Sequence, residues 1–481
     1  MIKSVIDSIS EPISFLFNQS IENGVFPSKL KCARVVPVFK SGNKCEIKNY
    51  RPISTLPFLS KIFEKLTAER IYTYLNKENI ISDRQYGFQK NIGTIDAIIR
   101  FMDRTYTSLS KKEYVLSVFV DFSKAFDTLS HDILLSKLHY YGFRGIVYDW
   151  FASYLSNRQQ RVDFKGSISP VETINTGIPQ GSVLGPLLFI LYINDLINAS
   201  KIFDVVLYAD DATLLYSDSC INNLFNVVNN ELNNIFQWTC ANKLSLNIDK
   251  TKYMVISTKT VATSGYSLIL NDNVLEQVRN FNFLGILIDD KLTFKDHIKQ
   301  KGTEIERSLG ILKKVDFLPT NVLRMIYFSI IYSKLIYGIV IWGSAAPSNL
   351  ISLSLKNKKA IRRITKIDWL AHTSPLFKSV NILKLNDIYK YFSALFMYKL
   401  SSGNINNNFY RSKYELYLRN HNYHTRYKLN LNLPYFDSNL CQRSIFFQAG
   451  LVWNLLPETL KDSRTVNKFK TDLKKLIIDK Y

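Results

Sequence analysis

Two adjacent carboxylates interrupt an apolar stretch near the middle of the chain. The segment 205–216 reads VVLYADDATLLY and places Asp210 and Asp211 between two runs of strand-forming residues. Charged side chains in apolar surroundings are costly unless they are paired or bound to a metal ion. The pattern therefore predicts a strand, a tight turn that bears the acids, and a second strand, with the acids directed toward a divalent cation. An ordinary Asp-containing hairpin turn is the alternative.

A third acid follows an apolar strand further upstream. Residues 115–120 predict this strand, Asp121 stands at its carboxyl end, and apolar residues at helical spacing follow over 134–138. Phosphoryl transfer from a nucleoside triphosphate demands little covalent chemistry from a protein and relies on two Mg²⁺ ions about 3.5–4 Å apart. Three Asp carboxylates on two neighbouring strands would supply the oxygen ligands that Mg²⁺ prefers. The sequence therefore predicts a two-metal site.

Seven sequence blocks surround these acids in a fixed order. They are NYRPIS at 49–54, QYGF at 85–88, VDFSKAFD at 120–127, GIPQGSVLGPLLF at 177–189, YADD at 208–211, LNIDKTK at 246–252 and FLGILID at 283–289. The ordered set resembles reverse transcriptases of non-LTR (LINE-type) retrotransposons, and specifically the jockey-like branch. The resemblance covers the chain from about residue 27 to residue 289 and is looser downstream.

The resemblance implies an α+β fold with the right-hand architecture of polymerases, in which a palm with an antiparallel sheet lies between fingers and a helical thumb. We expect fingers and palm in residues 1–289, with the fingers truncated at the amino terminus. Residues 290–400 are expected to form a helical, basic thumb or connection. Residues 401–481 are expected to form a linker and a basic, aromatic C-terminal segment.

Periodicity predicts individual elements within this frame. Helices are expected over 60–77, 221–246 and 466–478, and a strand over 33–39. The most membrane-like run, 325–342, contains a lysine and two serines, so we interpret it as a buried thumb helix rather than a membrane span.

The activity that the resemblance implies is RNA-directed DNA synthesis. Deoxynucleoside triphosphates (dNTPs) would be added to the 3′-hydroxyl of a DNA primer on an RNA template, with two Mg²⁺ ions, or Mn²⁺ in their place. Asp121, Asp210 and Asp211 would hold the metal ions and act in catalysis. Lys250 resembles the general acid that protonates the departing pyrophosphate. A structural salt bridge from Lys250 to Asp249 or another acid is the alternative.

Two further residues resemble contacts to the incoming nucleotide. Phe126 stands where the family has a gate beneath the sugar, and a flat aromatic ring there would exclude a 2′-hydroxyl. A ring that simply packs in the core is the alternative. Gln180 and Gly181 lie in a loop that resembles the contact with the sugar and the templating pair, since glycine lets the backbone approach closely and an amide both donates and accepts.

The remaining site candidates bind phosphate, nucleotide or primer. Arg51 and Lys40 are candidates for the triphosphate, because a guanidinium matches phosphate geometry, with solvated surface cations as the alternative. Phe122 is assigned to nucleotide binding with them. The resemblance further implies a primer grip formed by Phe283, Leu284 and Gly285, although the residues alone indicate only a strand with a glycine.

The positive charge is concentrated downstream of the motifs. The 481 residues include 62 basic and 40 acidic side chains, a net charge of +22. Residues 1–290 hold 30 basic and 28 acidic side chains, whereas residues 291–481 hold 32 and 12. Such one-sided charge favours a polyanion such as nucleic acid, with a generally solvated basic surface as the alternative.

Tyrosines and cations alternate near the carboxyl terminus. Base stacking combined with phosphate binding would suit a single strand, and simple packing of the tyrosines is an equally supported alternative. The residues are Tyr410, Tyr414, Tyr417, Tyr423 and Tyr427 with Arg411, Lys413, Arg419, Arg426 and Lys428.

The cellular setting follows from what the sequence lacks. Five scattered cysteines show neither a zinc pattern nor a disulfide pattern, and no secretory signal or membrane span is evident. We expect an intracellular, soluble protein in the nucleus or cytoplasm, associated with the element's RNA. No endonuclease sequence is evident, so target cleavage would need another chain.

Rival functions remain open at this point. A silent, truncated remnant would bind nucleic acid without incorporating nucleotides. A reverse transcriptase of the group II intron or telomerase type is a nearer rival, and the wording of the block at 177–189 speaks against it.

Overall fold

The computed structural model describes residues 6–259, 265–368, 370–405, 407–418, 429–433 and 435–481. Its strands are β1 (Cys32–Phe39), β2 (Tyr50–Thr55), β3 (Tyr114–Asp121), β4 (Arg158–Phe164), β5 (Ser167–Ile168), β6 (Glu172–Ile174), β7 (Asp204–Tyr208), β8 (Asp211–Asp218), β9 (Lys252–Ile256), β10 (Ile269–Leu270), β11 (Asn273–Val274), β12 (Glu276–Gln277), β13 (Asn280–Phe283) and β14 (Ile286–Asp289).

Helices connect and cover these strands. They are α1 (Ile6–Glu22), α2 (Phe58–Lys77), α3 (Thr94–Ser110), α4 (Ala125–Thr128), α5 (His131–Tyr140), α6 (Ile146–Leu155), α7 (Gly185–Ile193), α8 (Ile221–Ala241), α9 (Lys295–Lys314), α10 (Thr320–Tyr327), α11 (Ser333–Ile336), α12 (Ile339–Trp342), α13 (Pro347–Thr365), α14 (Thr373–Ser379), α15 (Leu385–Ser401), α16 (Asn408–Tyr417), α17 (Ile445–Asn454), α18 (Glu458–Lys461) and α19 (Val466–Ile478). The helices predicted over 60–77 and 466–478 are confirmed by α2 and α19.

One sheet carries the acidic residues. Its strand order is β12-β9-β3-β8-β7, and β3 is antiparallel to both β8 and β9. β7 pairs antiparallel with β8, while β12 adds in parallel to β9. The predicted strand over 115–120 and the predicted strand–turn–strand over 205–216 are confirmed by β3 and by β7 with β8.

This sheet is buried on both faces. Successive side chains of a strand point to opposite sides, so alternate residues of each strand enter different cores. From β3, Leu116, Val118 and Val120 enter a core shared with α5, α7 and α8. Val115 and Phe119 enter a second core shared with α3 and with helices from α9 onward. Two-sided burial explains why β3 is a continuous apolar run rather than an alternating one.

A second sheet stands beside the first. Its strands run β2-β1-β4-β5, with β6 also paired to β4. β1 is antiparallel to β2 and parallel to β4. The strand predicted over 33–39 is confirmed by β1, which positions the basic residues that follow it.

Two predicted helices have different boundaries in the structure. The helix predicted over 221–246 ends at Ala241, because Lys243 adopts a left-handed φ of 51° and Leu244 N donates to Thr239 O at 2.9 Å. The following residues are thereby free to pass behind Asp121.

The single buried helix predicted within 325–342 is wrong. A π-helical turn spans Phe328–Tyr332, and the helix breaks at Gly338, whose φ is +62°. Tyr337 and Gly338 therefore separate α11 from α12 and turn the chain toward β13 and β14. Within the described ranges, none of the helices combines the length and the apolar character needed to cross a bilayer.

The cysteines carry no cross-link. All five are free, and Cys441 is the buried one among them. The predicted free thiols are thus confirmed.

The C-terminal segment packs on α3, the helix behind β7. Tyr410 is fully buried, and its hydroxyl donates to Asp96 Oδ1 at 2.7 Å. Lys413 Nζ lies 2.8 Å from Asp103 Oδ2. For Tyr410 the packing alternative is therefore confirmed, since a fully buried ring cannot stack on a base. Part of the predicted pattern lies outside the described residues, namely Arg419, Tyr423, Arg426, Tyr427 and Lys428.

Removal of the Tyr410 hydroxyl should weaken this attachment. Burial raises the pKa of Asp96, and the hydrogen bond from Tyr410 opposes that shift. We expect Tyr410→Phe to lower the free energy of unfolding by about 1–3 kcal/mol, since it leaves a buried acceptor without this donor. The midpoint of urea unfolding measures the change. Tyr435→Phe is the matched control, because Tyr435 is 88% exposed. Equal loss in both variants, or no loss in Tyr410→Phe, would contradict the packing role.

Candidate active site

The two adjacent acids lie at a two-residue hairpin turn. Tyr208 pairs with Asp211, so Ala209 and Asp210 form the turn between β7 and β8. Ala209 has a φ of 54°, a left-handed conformation that costs energy for a residue with a Cβ atom. Such a turn persists only where the surrounding structure holds it.

A buried glutamine holds the turn. Gln85 is fully buried, and its Oε1 accepts hydrogen bonds from Ala209 N at 3.2 Å and Gly87 N at 2.8 Å. A Cβ atom on Gly87 would lie 2.4 Å from Ala209 N, so this position requires glycine. Tyr86 N also donates to Leu207 O at 2.8 Å. Sequence analysis found the block at 85–88 but assigned it no role.

The third acid lies across from this turn. On the paired strands β3 and β8, Asp121 stands directly opposite Asp211. Directly opposed residues on antiparallel strands have Cβ atoms about 4.5–5.5 Å apart. The three carboxylates predicted to form one site therefore come from one end of one sheet.

Burial and mutual repulsion raise the pKa of two of these acids. Burial, followed by the charges of Asp210 and Asp121, raises the pKa of Asp211 to about 6. Burial and Asp121 also raise the pKa of Asp210, while the positive charges of Arg51 and Lys40 oppose the shift. The site therefore carries excess negative charge that a cation would compensate.

The donor set fits Mg²⁺ in chemical type, because all three side chains offer carboxylate oxygens. Among the described residues, no three His, Cys, Asp or Glu side chains already converge on one point that would hold an ion. The backbone register thus brings the acids to one place, while their side-chain oxygens do not form a closed coordination shell.

Lys250 reaches the same site. Its Nζ lies 3.6 Å from Asp121 Oδ2, and both side chains are partly exposed. The loop that carries it is fixed behind β3, since Asn247 N donates to Asp121 O at 2.8 Å and Asp121 N donates to Thr251 Oγ1 at 3.3 Å. The salt-bridge alternative is thus observed, with Asp121 as the partner, and it keeps the ammonium beside the acids.

Two predicted phosphate ligands lie on the second sheet. Arg51, on β2, pairs with Val38 of β1, and Lys40 follows β1 directly. Both side chains are exposed, and both act electrostatically on Asp210. The structure therefore leaves these cations open to solvent on the side of the acids.

The loop with the predicted nucleotide contact packs against β2. Gln180 Nε2 donates to Asp127 Oδ1 at 2.8 Å, and Gln180 O accepts from Ser54 N at 2.6 Å. Gly181 has a φ of 122°, and a Cβ atom there would lie 2.5 Å from Ser54 O. The glycine is therefore required by the close approach to Ser54, while its predicted contact with the nucleotide stays a prediction. The hydrogen bond of Gln180 to Asp127 was not predicted from the sequence.

A second missed residue anchors this loop from below. Glu64 of α2 is fully buried and accepts hydrogen bonds from Val183 N at 2.6 Å and Tyr154 Oη at 3.3 Å. A buried acid that accepts from the backbone fixes the loop to the helix. The signal in the sequence was an acid beside the apolar stripe of the helix predicted over 60–77.

The two phenylalanines assigned to the nucleotide have different environments. Phe126 lies on α4, is half-buried, and stacks on Phe189 with ring centroids 4.4 Å apart. Phe122 is 5% exposed and belongs to the core beneath the sheet. The structure thus leaves part of the Phe126 ring exposed and keeps the Phe122 ring inside the core.

The predicted primer grip is a β-hairpin. Phe283 pairs with Ile286, which leaves Leu284 and Gly285 as a two-residue turn with φ values of 48° and 87°. Two left-handed residues match the hairpin turn that continues the twist of its strands. The Tyr337 hydroxyl donates to Leu284 O, so the residue at the helix break before Gly338 holds this turn.

The hairpin and the acids share one cavity. It has a volume of about 350 Å³ and is lined by Asp121, Asp211 and Lys250 together with Phe283 and Leu284. A nucleic acid end that contacts the hairpin would therefore lie beside the carboxylates.

The raised acid pKa values have a measurable consequence without metal. Between the ordinary value of 3.8 and about 6, folded Asp211 binds more protons than unfolded Asp211. Its contribution to stability is therefore lost as pH rises through this window. We expect Asp211→Asn to have a Tm that falls less than that of wild type between about pH 4 and pH 7 in EDTA-containing buffer.

Asp218→Asn is the control for this prediction. A hydrogen bond from the backbone of Cys220 lowers the pKa of Asp218, so its stabilising contribution is complete above about pH 4 and lost below it. This variant should lose stability throughout the same window without a change of slope. A Tm of Asp211→Asn that runs parallel to wild type would contradict the raised pKa.

Curated relatives come from insect mobile elements. The chain is 30% identical to the probable RNA-directed DNA polymerase from transposon BS of Drosophila melanogaster, over 77% of this chain and 42% of the relative. It is 28% identical to the RNA-directed DNA polymerase from mobile element jockey of the same species, over 83% of this chain and 45% of the relative. The chain spans less than half the length of these relatives. The predicted resemblance to jockey-like elements is confirmed.

Similarity to solved structures is weak. A structure of telomerase from Candida albicans with a fragment of telomeric RNA gives a TM-score of 0.42 at 15% identity, over 78% of this chain and 70% of that chain. Apo telomerase from Candida tropicalis gives a TM-score of 0.44 at 12% identity, over 79% of this chain and 67% of that chain.

A family model provides the identification. The model described as reverse transcriptase (RNA-dependent DNA polymerase) matches residues 39–288, which is more than half of the chain. Every predicted site residue lies within this range, as do the two five-stranded sheets apart from β1, of which only Phe39 is included. The predicted α+β class is confirmed by the helices and the largely antiparallel sheets of the structure. The chain belongs to the reverse transcriptase (RNA-dependent DNA polymerase) family.

Proposed function

We propose that this chain catalyses RNA-directed DNA synthesis by adding dNTPs to the 3′-hydroxyl of a primer paired to an RNA template. The single observation that carries the proposal is the gathering of Asp121, Asp210 and Asp211 at one end of one sheet. The cavity that Asp121 and Asp211 share with Phe283 and Leu284 of the hairpin supports it further.

Asp121, Asp210 and Asp211 would hold two Mg²⁺ ions, or Mn²⁺ in their place. When bound, these ions supply positive charge to the attacking and leaving oxygens of an in-line displacement. The raised pKa values of Asp210 and Asp211 support this assignment, because they report negative charge that the protein itself leaves uncompensated.

In the reaction, the primer 3′-hydroxyl loses its proton to solvent water, and its oxygen forms a bond to the α-phosphorus as the bond to the oxygen that bridges to the β-phosphate breaks. Pyrophosphate leaves and takes a proton from Lys250 Nζ, which regains one from solvent. The 3.6 Å contact with Asp121 supports this role, since it keeps the ammonium at the edge of the site. Arg51 and Lys40 would contact the triphosphate, where their charges offset those of the phosphate oxygens.

The sugar and the primer would be held by the remaining residues. The Phe126 ring, backed by Phe189, forms a rigid wall against a 2′-hydroxyl. The Gln180 amide, held by its hydrogen bond to Asp127, would contact the sugar and the templating pair. The hairpin at 283–285, fixed by Tyr337, would hold the primer end.

The proposed partners follow from the proposed activity and from the relatives, which are RNA-directed DNA polymerases of mobile elements. We propose an RNA template, a DNA primer or target and dNTPs as partners, with the protein inside the cell beside its element's RNA, in the nucleus or the cytoplasm. Target cleavage is left to an endonuclease outside the matched residues 39–288.

The direct test is primer extension on RNA and DNA templates with Mg²⁺. We expect Asp210→Asn to reduce extension by roughly 10³-fold or more, because the charge stabilisation contributed by a bound metal amounts to several kcal/mol. Asp132→Asn is the control, since Asp132 is an exposed acid on α5. Extension that survives in Asp210→Asn at the level of Asp132→Asn would overturn the proposal.

The sugar gate is tested by competition between ribonucleotides and deoxynucleotides. We expect Phe126→Val to raise the ratio of ribonucleotide to deoxynucleotide incorporation by roughly tenfold or more, because the wall against the 2′-hydroxyl is shortened. Phe122→Val should leave this ratio unchanged, since its ring is buried in the core. A change of ratio in Phe122→Val alone would transfer the gate to that residue.

A further inference from the structure

A basic cleft lies between the carboxyl-terminal halves of α9 and α13, apart from the site of the acids. Its volume is about 750 Å³. It shares no lining residue with the cavity of the acids and the hairpin. The charged residues of this basic cleft are Lys313, Lys359, Arg362, Arg363 and Lys366, together with the acids Glu306 and Asp316.

The positive charge of the cleft is poorly compensated within the chain. Glu306 is engaged by Lys356, 3.2 Å away, from outside the cleft. Arg362 donates from Nε and Nη2 to Ala371 O at 3.1 and 3.0 Å, and this carbonyl carries no net charge. The four other cations of the cleft form no salt bridge to any side chain in the described ranges. The cleft therefore presents cations that lack an internal counterion.

Compensation of helix dipoles accounts for only part of this set. Lys313, Arg362 and Arg363 lie in the last turns of α9 and α13, where cations stabilise a helix terminus. Lys359 precedes that turn and Lys366 follows the end of α13. Their presence in the same cleft requires another explanation, and a polyanion supplies one.

An exposed aromatic residue is adjacent in sequence to the cleft lining. Phe317 follows Asp316 directly and is 75% exposed. Its carbonyl accepts a hydrogen bond from Lys366 Nζ at 3.4 Å, which ties it to the cations. An aromatic face beside a row of cations suits stacking of an unpaired base while the phosphates contact the cations.

The cleft is remote from the catalytic carboxylates. The first turn of α9 is attached to β14, where Leu287 N donates to His297 Nδ1 at 3.2 Å. With a rise of 1.5 Å per residue, the part of α9 that lines the cleft lies roughly 14–24 Å along the helix from this attachment. Nucleic acid in the cleft would therefore occupy a second location on the same protein.

We propose that the basic cleft is a second nucleic-acid site that binds a single strand through its phosphate backbone, with one base stacked on Phe317. The shared ligand chemistry is an unpaired phosphodiester chain, which either RNA or DNA could provide. Binding there requires no nucleotide addition, so the proposal can fail without affecting the polymerase assignment, and the reverse also holds.

The test is a binding measurement on full-length protein that carries Asp210→Asn. Fluorescein-labelled oligouridylate and oligothymidylate of about 20 nucleotides are titrated by fluorescence anisotropy between roughly 50 and 200 mM salt. The cleft variant combines Lys313→Gln, Lys359→Gln and Arg363→Gln. The matched control removes the same charge elsewhere through Arg464→Gln, Lys468→Gln and Lys475→Gln, all at exposed positions.

We expect the cleft variant to lower the slope of log affinity against log salt by about 2, since each phosphate contact on a single strand contributes about 0.7. The control variant should keep the wild-type slope. Equal changes in both variants would show a diffuse basic surface and overturn the proposal, as would an unchanged slope in both. Similar affinity for the two oligonucleotides would assign recognition to the backbone, and preference for oligouridylate would assign the site to RNA.

The stacking component is tested separately. Phe317→Ala should weaken binding of oligouridylate by about tenfold, and Phe317→Trp should preserve it, because a stacked base depends on the aromatic face. Since Phe317 is 75% exposed, neither change should alter the Tm. Unchanged affinity in Phe317→Ala, or equal affinity for a blunt duplex of the same length, would contradict binding of an unpaired strand.

Discussion

Mutual repulsion among three carboxylates at the end of a doubly buried sheet is the constraint on which the rest of this structure depends. Asp121 and Asp211 face each other across paired strands, and Asp210 occupies the turn beside them. A register shift of one residue would move every side chain of β3 to the opposite face, into a core that is packed around other side chains. Burial on both faces therefore fixes the position of the acids, and their repulsion must be balanced from outside the sheet.

The surrounding elements supply that balance in separate ways. Gln85 and Gly87 hold the strained turn at Ala209, so the acids cannot relax apart. Lys250 approaches from the loop behind β3, and the exposed cations on the second sheet act from the opposite side. The remaining negative charge is what makes the site suited to divalent ions and to a reaction at phosphate.

Local sequence patterns predicted the strands and turns that carry the acids. The hydrogen bonds that hold these elements in place come from residues that are distant in the sequence. The hairpin at 208–211 was predictable, because runs of strand-forming residues on both sides of two adjacent acids favour a strand, a turn and a second strand. The roles of Glu64 and Gln85 were not predictable, since the loop residue Val183 and the turn residue Ala209 that they hold lie more than a hundred residues away along the chain. The identity of one residue in the sequence does not indicate a hydrogen bond that forms only in the tertiary structure.

The helix break and the C-terminal segment show the same limit. The hydrophobic pattern of 325–342 predicts one helix, because such a pattern carries no information about the hydrogen bond from Tyr337 to the backbone of Leu284. Alternating tyrosines and cations near the carboxyl terminus left stacking and packing equally supported, and the burial of Tyr410 against Asp96 decided for packing at that position. By contrast, the excess positive charge found in the sequence is matched by the basic cleft between α9 and α13.

The most direct measurement of the central claim is a crystal structure of the ternary complex with an RNA–DNA hybrid, a non-hydrolysable dNTP analogue and Mg²⁺. The account predicts two metal ions about 3.5–4 Å apart, both ligated by carboxylates among Asp121, Asp210 and Asp211, with the triphosphate facing Arg51. Metal ions bound elsewhere, or a nucleotide seated away from these acids, would contradict it.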